Sequence, residues 1–320
     1  DEKQLGSVEA GRAFGQLQEA GMPTFRLTEI VRQTNEHTRE AVYASLQADA
    51  ARALAAIERG GGEVIEIKGD NHAAGAHQRR ALLAERYAAL SPDERRRTVL
   101  ADPSRSGRKE LNEQVRESLK VRGELQGPTL VVDILVPKGL TTGEQRKTVA
   151  YEHGDIVRFR SDLRPRHQDA LRKDVSYTIV GRDVRQGMLQ LQDGRGRFVT
   201  WRPEQYGARH AEVYRREQRE LAAGDRIGWT KSMPAIGAAN GQTAEVTAID
   251  ARRGTITVAM GSRSATLPAA GMQHLDHAYA QTAHRLQGQT ADRALLHLED
   301  WRLNLTNQRS VYVLLSRAKD

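Results

Sequence analysis

The 320 residues include no cysteine. That excludes disulfides and thiolate metal sites and fits a reducing compartment, so the cytoplasm is the expected location. No run approaches the roughly 18 apolar residues of a membrane span, so no membrane insertion is expected. The opening, "DEKQLGSVEAG", has neither a methionine nor a charged-then-apolar leader and reads as the start of a fragment. The phosphate loop G-x-x-x-x-G-K-[ST] is also absent; in its nearest imitation, "GSVEAGRA", Arg12-Ala13 stand where Lys-Ser/Thr would hold phosphate and magnesium. Alone, then, the chain is not a complete nucleotidase. Zinc spacing is missing as well: His72 and His77 in "HAAGAH" are five apart and lack the glutamate of H-E-x-x-H, so no metal site is expected.

What the chain does have is positive charge. A net charge of +8 favours a polyanionic partner, since each Lys or Arg set against a phosphate releases condensed counterions.

Residues 1–127 alternate helix and strand patterns. "TREAVYASLQADAARALAAIERG" has helical spacing and stops at Gly60-Gly61-Gly62. "EVIEI" (63–67) alternates like a strand, a helix is expected over about 73–90, and "SPDE" supplies an N-cap at Ser91 with Pro92 and Glu94 in capping-box register. "RTVLAD" reads as strand and "RKELNEQVRESLK" as helix. This is the texture of an α/β layer with a mostly parallel sheet. Residues 128–275 are β-rich. "GDIVRFR" and "GDRIGWT" open two similar stretches, and "YTIVGRDVRQGMLQLQ" (177–192) aligns without a gap on "AEVTAIDARRGTITVA" (244–259). A duplicated strand-turn-strand unit is the economical reading, expected as two small SH3-like barrels at about 150–207 and 224–270. The α/β texture returns over 276–320, where "RALLHLE" reads as strand and the apolar run 311–315 in "SVYVLLSRAKD" as a buried parallel strand. Ser316 and Arg317 would then lie beyond a strand's carboxyl end, at a ligand crevice.

The cluster "TAHRLQGQT" (282–290) sets hydroxyl, imidazole and amide groups around Gly288, the kind of group that follows a phosphate backbone without reading bases. Arg32 follows Ile30-Val31, Arg317 follows the apolar run, and Arg116 reads as an ordinary surface residue. Trp229 and Lys231 in "GWTKS" suit stacking on a single strand plus a phosphate contact, although the tryptophan could equally fill a barrel core.

In order, "DEKQLGSVEAG" (1–11), "LTEIVRQTN" (27–35), "LNEQVRESL" (111–119), "YAQTAHRLQGQTADRALL" (279–296) and "VYVLLSRAKD" (311–320) resemble motif III, motif IV, the segment after it, motif V and motif VI of superfamily 1 helicases. The resemblance is to the RecD-like, 5′-to-3′ branch, and within it to the helicase part of conjugative relaxases. It implies a second RecA-like domain in two segments, 1–127 and 276–320, around the β insertion, with ATP and Mg2+ bound mainly by a first RecA-like domain whose motifs are not in this chain. The resemblance also implies roles. Asp1 and Gln4 would couple nucleotide to DNA, joined by Gln287 and Gly288. Arg32 and Arg317 would reach the γ-phosphate. Thr282, His284, Thr290 and Asn112 would contact single-stranded DNA. Other readings are a non-catalytic module binding single-stranded DNA or recognised by type IV secretion machinery, and a RecD-like helicase without a relaxase.

Overall fold

A computed structural model describes residues 13–25, 29–164, 169–302 and 304–319. The chain divides into two compact units, one formed by 1–126 with 277–320 and the other by 127–276. In chain order the elements begin with α1 (Ala13–Glu19), α2 (Glu36–Leu46), α3 (Ala50–Arg59), α4 (His72–Ala89), α5 (Pro92–Arg97), β1 (Thr98–Ala101) and α6 (Arg105–Val121). The β-rich unit carries β2 (Leu130–Pro137), α7 (Thr142–Gln145), β3 (Ile156–Phe159), β4 (Ser176–Asp183), β5 (Met188–Asp193), β6 (Phe198–Trp201), β7 (Ala211–Leu221) and β8 (Arg226–Trp229). It continues with β9 (Thr243–Asp250), β10 (Thr255–Met260), β11 (Arg263–Pro268), β12 (Met272–Gln273) and β13 (Leu275–His277), and the chain ends with β14 (Ala280–Gln281), α8 (Ala283–Leu286), β15 (Arg293–Leu296) and α9 (Gln308–Leu315).

Helix starts follow local chemistry. Ser91 accepts from the Glu94 amide while the Glu94 carboxylate returns to the Ser91 amide, closing the capping box with Pro92 in the first turn. The stretch that reads as one helix up to Gly60 is two, α2 and α3. It breaks at Ala48, which takes a positive φ of 60°, and restarts at Asp49, whose carboxylate accepts from the Arg52 amide. Glu63 to Ile67 form no strand; Val64 and Ile65 are exposed and have no sheet to join, and alternation stabilises a strand only where neighbours cover one face.

The α/β unit is built on a three-stranded parallel sheet, order β14-β1-β15. Every residue of β1 is buried. Ala101 lies opposite both Gln281 and Leu296, so Thr282, Asp102 and His297 leave the sheet side by side at its carboxyl edge. Residues 311–315 are helical, not a central strand. Asn307 caps α9 through its bond from the Ser310 amide, and the helix turns Val313 and Leu314 inward. A short apolar run has no periodicity that separates the two states.

In the β-rich unit the sequence repeat is a repeat of hydrogen bonds. The amides of Gly154 and Gly224 donate to Ile179 and Val246, each at 2.8 Å, and those residues donate back to Asp155 and Asp225 at 2.9 and 2.8 Å. The two buried aspartates cap the preceding turn alike, accepting from the Glu152 and Ala222 amides at 2.8 and 2.6 Å. Val180 and Thr247 are bulged at equivalent positions. Gly187 and Gly254 turn each hairpin at φ 62° and 61°, where a side chain would be strained.

The copies do not close into SH3-like barrels. They run as open sheets, β12-β2-β7-β3-β4-β5-β6 and β11-β10-β9-β8-β13. The last hairpin strand of each copy, β6 or β11, stays at a sheet edge rather than pairing back to β3 or β8, and β7 divides its pairing between β3 and β2. Trp201 and Trp229 fill the two cores.

Candidate functional site

Arg32 and Arg317 come to the same end of α9. The segment after Arg32 is bonded along the chain end: the Gln33 amide group donates to Ser316 and Ala318 at 3.3 and 2.7 Å, and the Thr34 amide to Lys319 at 3.0 Å. This brings the half-buried Arg32 against α9, where its Nη1 donates to the Ser316 carbonyl at 2.7 Å. Arg317, the next residue, is 2 % exposed. Its Nε donates to Val313 at 2.7 Å, Nη1 to Leu286 and Gln289 at 3.4 and 3.0 Å, and Nη2 to the Ser316 hydroxyl at 2.6 Å. These partners are carbonyls and a hydroxyl; among the described residues no carboxylate forms an ion pair with either guanidinium. Burial, reinforced by the nearby Arg32 charge, pulls Arg317 down to about 10.

Leu286 and Gln289, which accept from Arg317, belong to the turn formed by "TAHRLQGQT". Thr282 heads α8, its carbonyl accepting from Arg285 and Leu286 at 3.0 and 3.1 Å. Gly288 reverses the chain at φ 87° with open space around it. The Gln289 amide group braces the turn on Gln281 Oε1 and the Arg285 carbonyl, at 3.1 and 2.9 Å. His284, Gln287, Gly288 and Thr290 are exposed and Thr282 half-buried. The Arg317 guanidinium thus ties the exposed turn to the end of α9, where Arg32 is bonded to the Ser316 carbonyl.

Other assigned residues stand elsewhere. Asn112, expected at the DNA, is buried on α6 and clamps the edge strand, accepting from the Ala280 amide at 2.8 Å and donating to the Ala280 carbonyl at 3.4 Å. Trp229 is fully buried among Ile227, Val246 and Val258, so it fills a core rather than offering a stacking face. Lys231 is half-exposed and pairs with Glu212 at 3.1 Å. Arg116 is buried, not superficial. Asp1 and Gln4 lie outside the described residues.

The sequence reading missed a buried ion network at the carboxyl edge of the parallel sheet. Arg80 donates to Asp102 at 2.8 Å, to Glu110 at 2.8 Å and to Glu299 at 3.1 Å. His297 Nδ1 meets Asp102 at 2.8 Å. Because Arg79 Nε can only donate to His297 Nε2, at 3.2 Å, the proton on the ring belongs on Nδ1, facing Asp102. Burial alone would raise Asp102, but the hydrogen bonds from His297 and Arg80 and the Arg80 charge outweigh it and hold the carboxyl at about 2. The available signal was position: Asp102 and His297 directly follow two adjacent parallel strands.

A family model described as an AAA domain matches residues 1–68. The multifunctional conjugation protein TraI of Escherichia coli is 27 % identical over 356 residues, covering 100 % of this chain and 20 % of that protein. TraI from Escherichia coli strain K12 is 28 % identical over 358 residues with the same coverage. The chain therefore spans about a fifth of the curated relatives it matches. Among solved structures, one of two coordinating Pif1 helicases on forked dsDNA covers 99 % of this chain and 56 % of its own, at 15 % identity and a TM-score of 0.41. A Bacteroides Pif1 helicase in complex with ADP-AlF3 and ssDNA covers 100 % and 59 %, at 13 % identity and a TM-score of 0.32.

Proposed function

We propose that this chain, 27–28 % identical to TraI along its whole length, forms the second motor domain of a superfamily 1, ATP-driven helicase translocating on single-stranded DNA, used in conjugative transfer. The observation that carries this reading is the meeting of Arg32 and Arg317 at Ser316 beside the exposed 282–290 turn. A buried guanidinium whose partners are only carbonyls and a hydroxyl lacks a counter-charge, and a nucleotide phosphate from a facing domain fits that deficit. In phosphoryl transfer, negative charge sits on equatorial oxygens, and an arginine supplied across a cleft stabilises it by roughly 10³-fold or more.

Because Arg317 also donates to Leu286 and Gln289, drawing it toward a phosphate loosens its hold on the turn. Occupancy of the nucleotide site is then coupled to the group that would grip DNA. Mg2+-ATP would supply the phosphate charge that these arginines neutralise, and this chain provides the cationic side of that cleft. In an intact helicase carrying this segment, Arg317→Ala is expected to lower DNA-stimulated ATP hydrolysis by about 10³-fold while single-strand binding at low salt persists. Full hydrolysis by that variant would refute the assignment.

A further inference from the structure

Of the three tryptophans in the chain, two are fully buried and the third, Trp301, is 42 % exposed. It follows β15 in the chain, and β15 ends level with β1 and β14 at the carboxyl edge of the sheet. Its ring stacks on His72, centroids 5.0 Å apart and planes 30° from parallel, and the Arg302 guanidinium carbon sits 4.5 Å from the ring centroid. This is no loosely held surface residue. Arg302 donates to Glu299 at 2.9 Å, Glu299 accepts from Arg80 at 3.1 Å, and Arg80 is anchored on Asp102. The indole is therefore set in place from the buried network outward. His72, in contrast, is an exposed side chain in the first turn of α4.

We propose that Trp301, backed by Arg302, is a stacking station for a nucleobase of single-stranded DNA, and that His72 occupies the ring face the base takes. The inference rests on the proposal that this chain follows such a strand, and adds where one base is held. The chemistry fits: every base has a π-face, and a flat aromatic neighboured by a cation accepts any of them without reading sequence. The geometry fits too. Adjacent strands lie about 4.8 Å apart, so the edge from β14 to β15 is about 10 Å wide, within the span of a few nucleotides.

Because Trp201 and Trp229 are fully buried, quenching of intrinsic fluorescence by an added oligonucleotide reports on Trp301. The full chain is titrated at low salt with labelled oligo-dT and with an abasic oligomer of equal length, following fluorescence and anisotropy together. Quenching by oligo-dT and its absence with the abasic oligomer are expected. Trp301→Ala should weaken oligo-dT binding about tenfold, Trp301→Phe should restore most of it, and His72→Ala should leave it equal or tighter because it removes the competitor. Anisotropy showing binding without quenching, or equal affinity for the Trp301→Ala variant, would overturn the stacking site while leaving strand binding intact. No binding to either oligomer would overturn strand binding by this chain, and the station with it.

Discussion

Arg80 and Arg317 are both almost fully buried in the α/β unit, yet their surroundings are opposites. Around Arg80 three carboxylates, Asp102, Glu110 and Glu299, compensate the charge within 3.1 Å. Burial alone would lower the Arg80 pKa, but those partners outweigh it and raise it. Around Arg317 the partners are carbonyls and one hydroxyl, and burial, then the like charge of Arg32, bring the pKa down to about 10. A buried cation surrounded by its own counter-ions is part of the scaffold. One that is solvated only by dipoles and lies near a second cation lacks that compensation, and the proposed phosphate contact rests on this deficit.

The largest effect expected from this contrast is on stability. Arg80→Met leaves Asp102 and Glu299 buried without their cation and should cost about 3–5 kcal/mol, whereas Arg317→Met removes a charge that no carboxylate needs and should cost about 1 kcal/mol. Urea unfolding of the two variants reads the difference, and equal losses would break the comparison. The next effect is on pH dependence, and it contrasts the two units. Burial first, then the Arg158 and Lys231 charges, pull His274 down from 6.5 to about 4. Its contribution is complete above pH 6.5 and is lost as pH falls from there toward 4, about 3 kcal/mol in all. Asp102, held at about 2 against 3.8, contributes fully above pH 3.8 and loses about 2 kcal/mol only as pH falls from there toward 2. Acid titration followed by hydrogen exchange should therefore find the β-rich unit loosening first. Simultaneous loosening of both units would argue against these two groups as the cause.

Local chemistry made much of the fold legible. The capping box at Ser91, the helices α4 and α6 and the strands β1 and β15 all follow from patterns a few residues long. The duplication was legible too, because the turn glycines and capping aspartates must recur for the backbone to repeat. What failed depended on neighbours far away in sequence. Residues 311–315 read as strand because an apolar run carries no period, and Glu63 to Ile67 alternated without a sheet to join. The two copies looked like barrels because strand count says nothing about whether β6 and β11 pair back. Whether Trp229 stacks on a strand or fills a core is not written in its neighbours. The Arg80 network was hidden for the same reason: its partners lie 22, 30 and 219 positions away.

The central claim is that Arg32 and Arg317, drawn together at Ser316, act on one phosphate. DNA-stimulated ATP hydrolysis of Arg32→Ala, Arg317→Ala and the double variant in the intact helicase tests it most directly. Two groups that work as a unit are strongly non-additive, so the double variant should be little slower than the slower single one. A loss equal to the product of the two single losses would mean that the arginines act independently and would contradict the account.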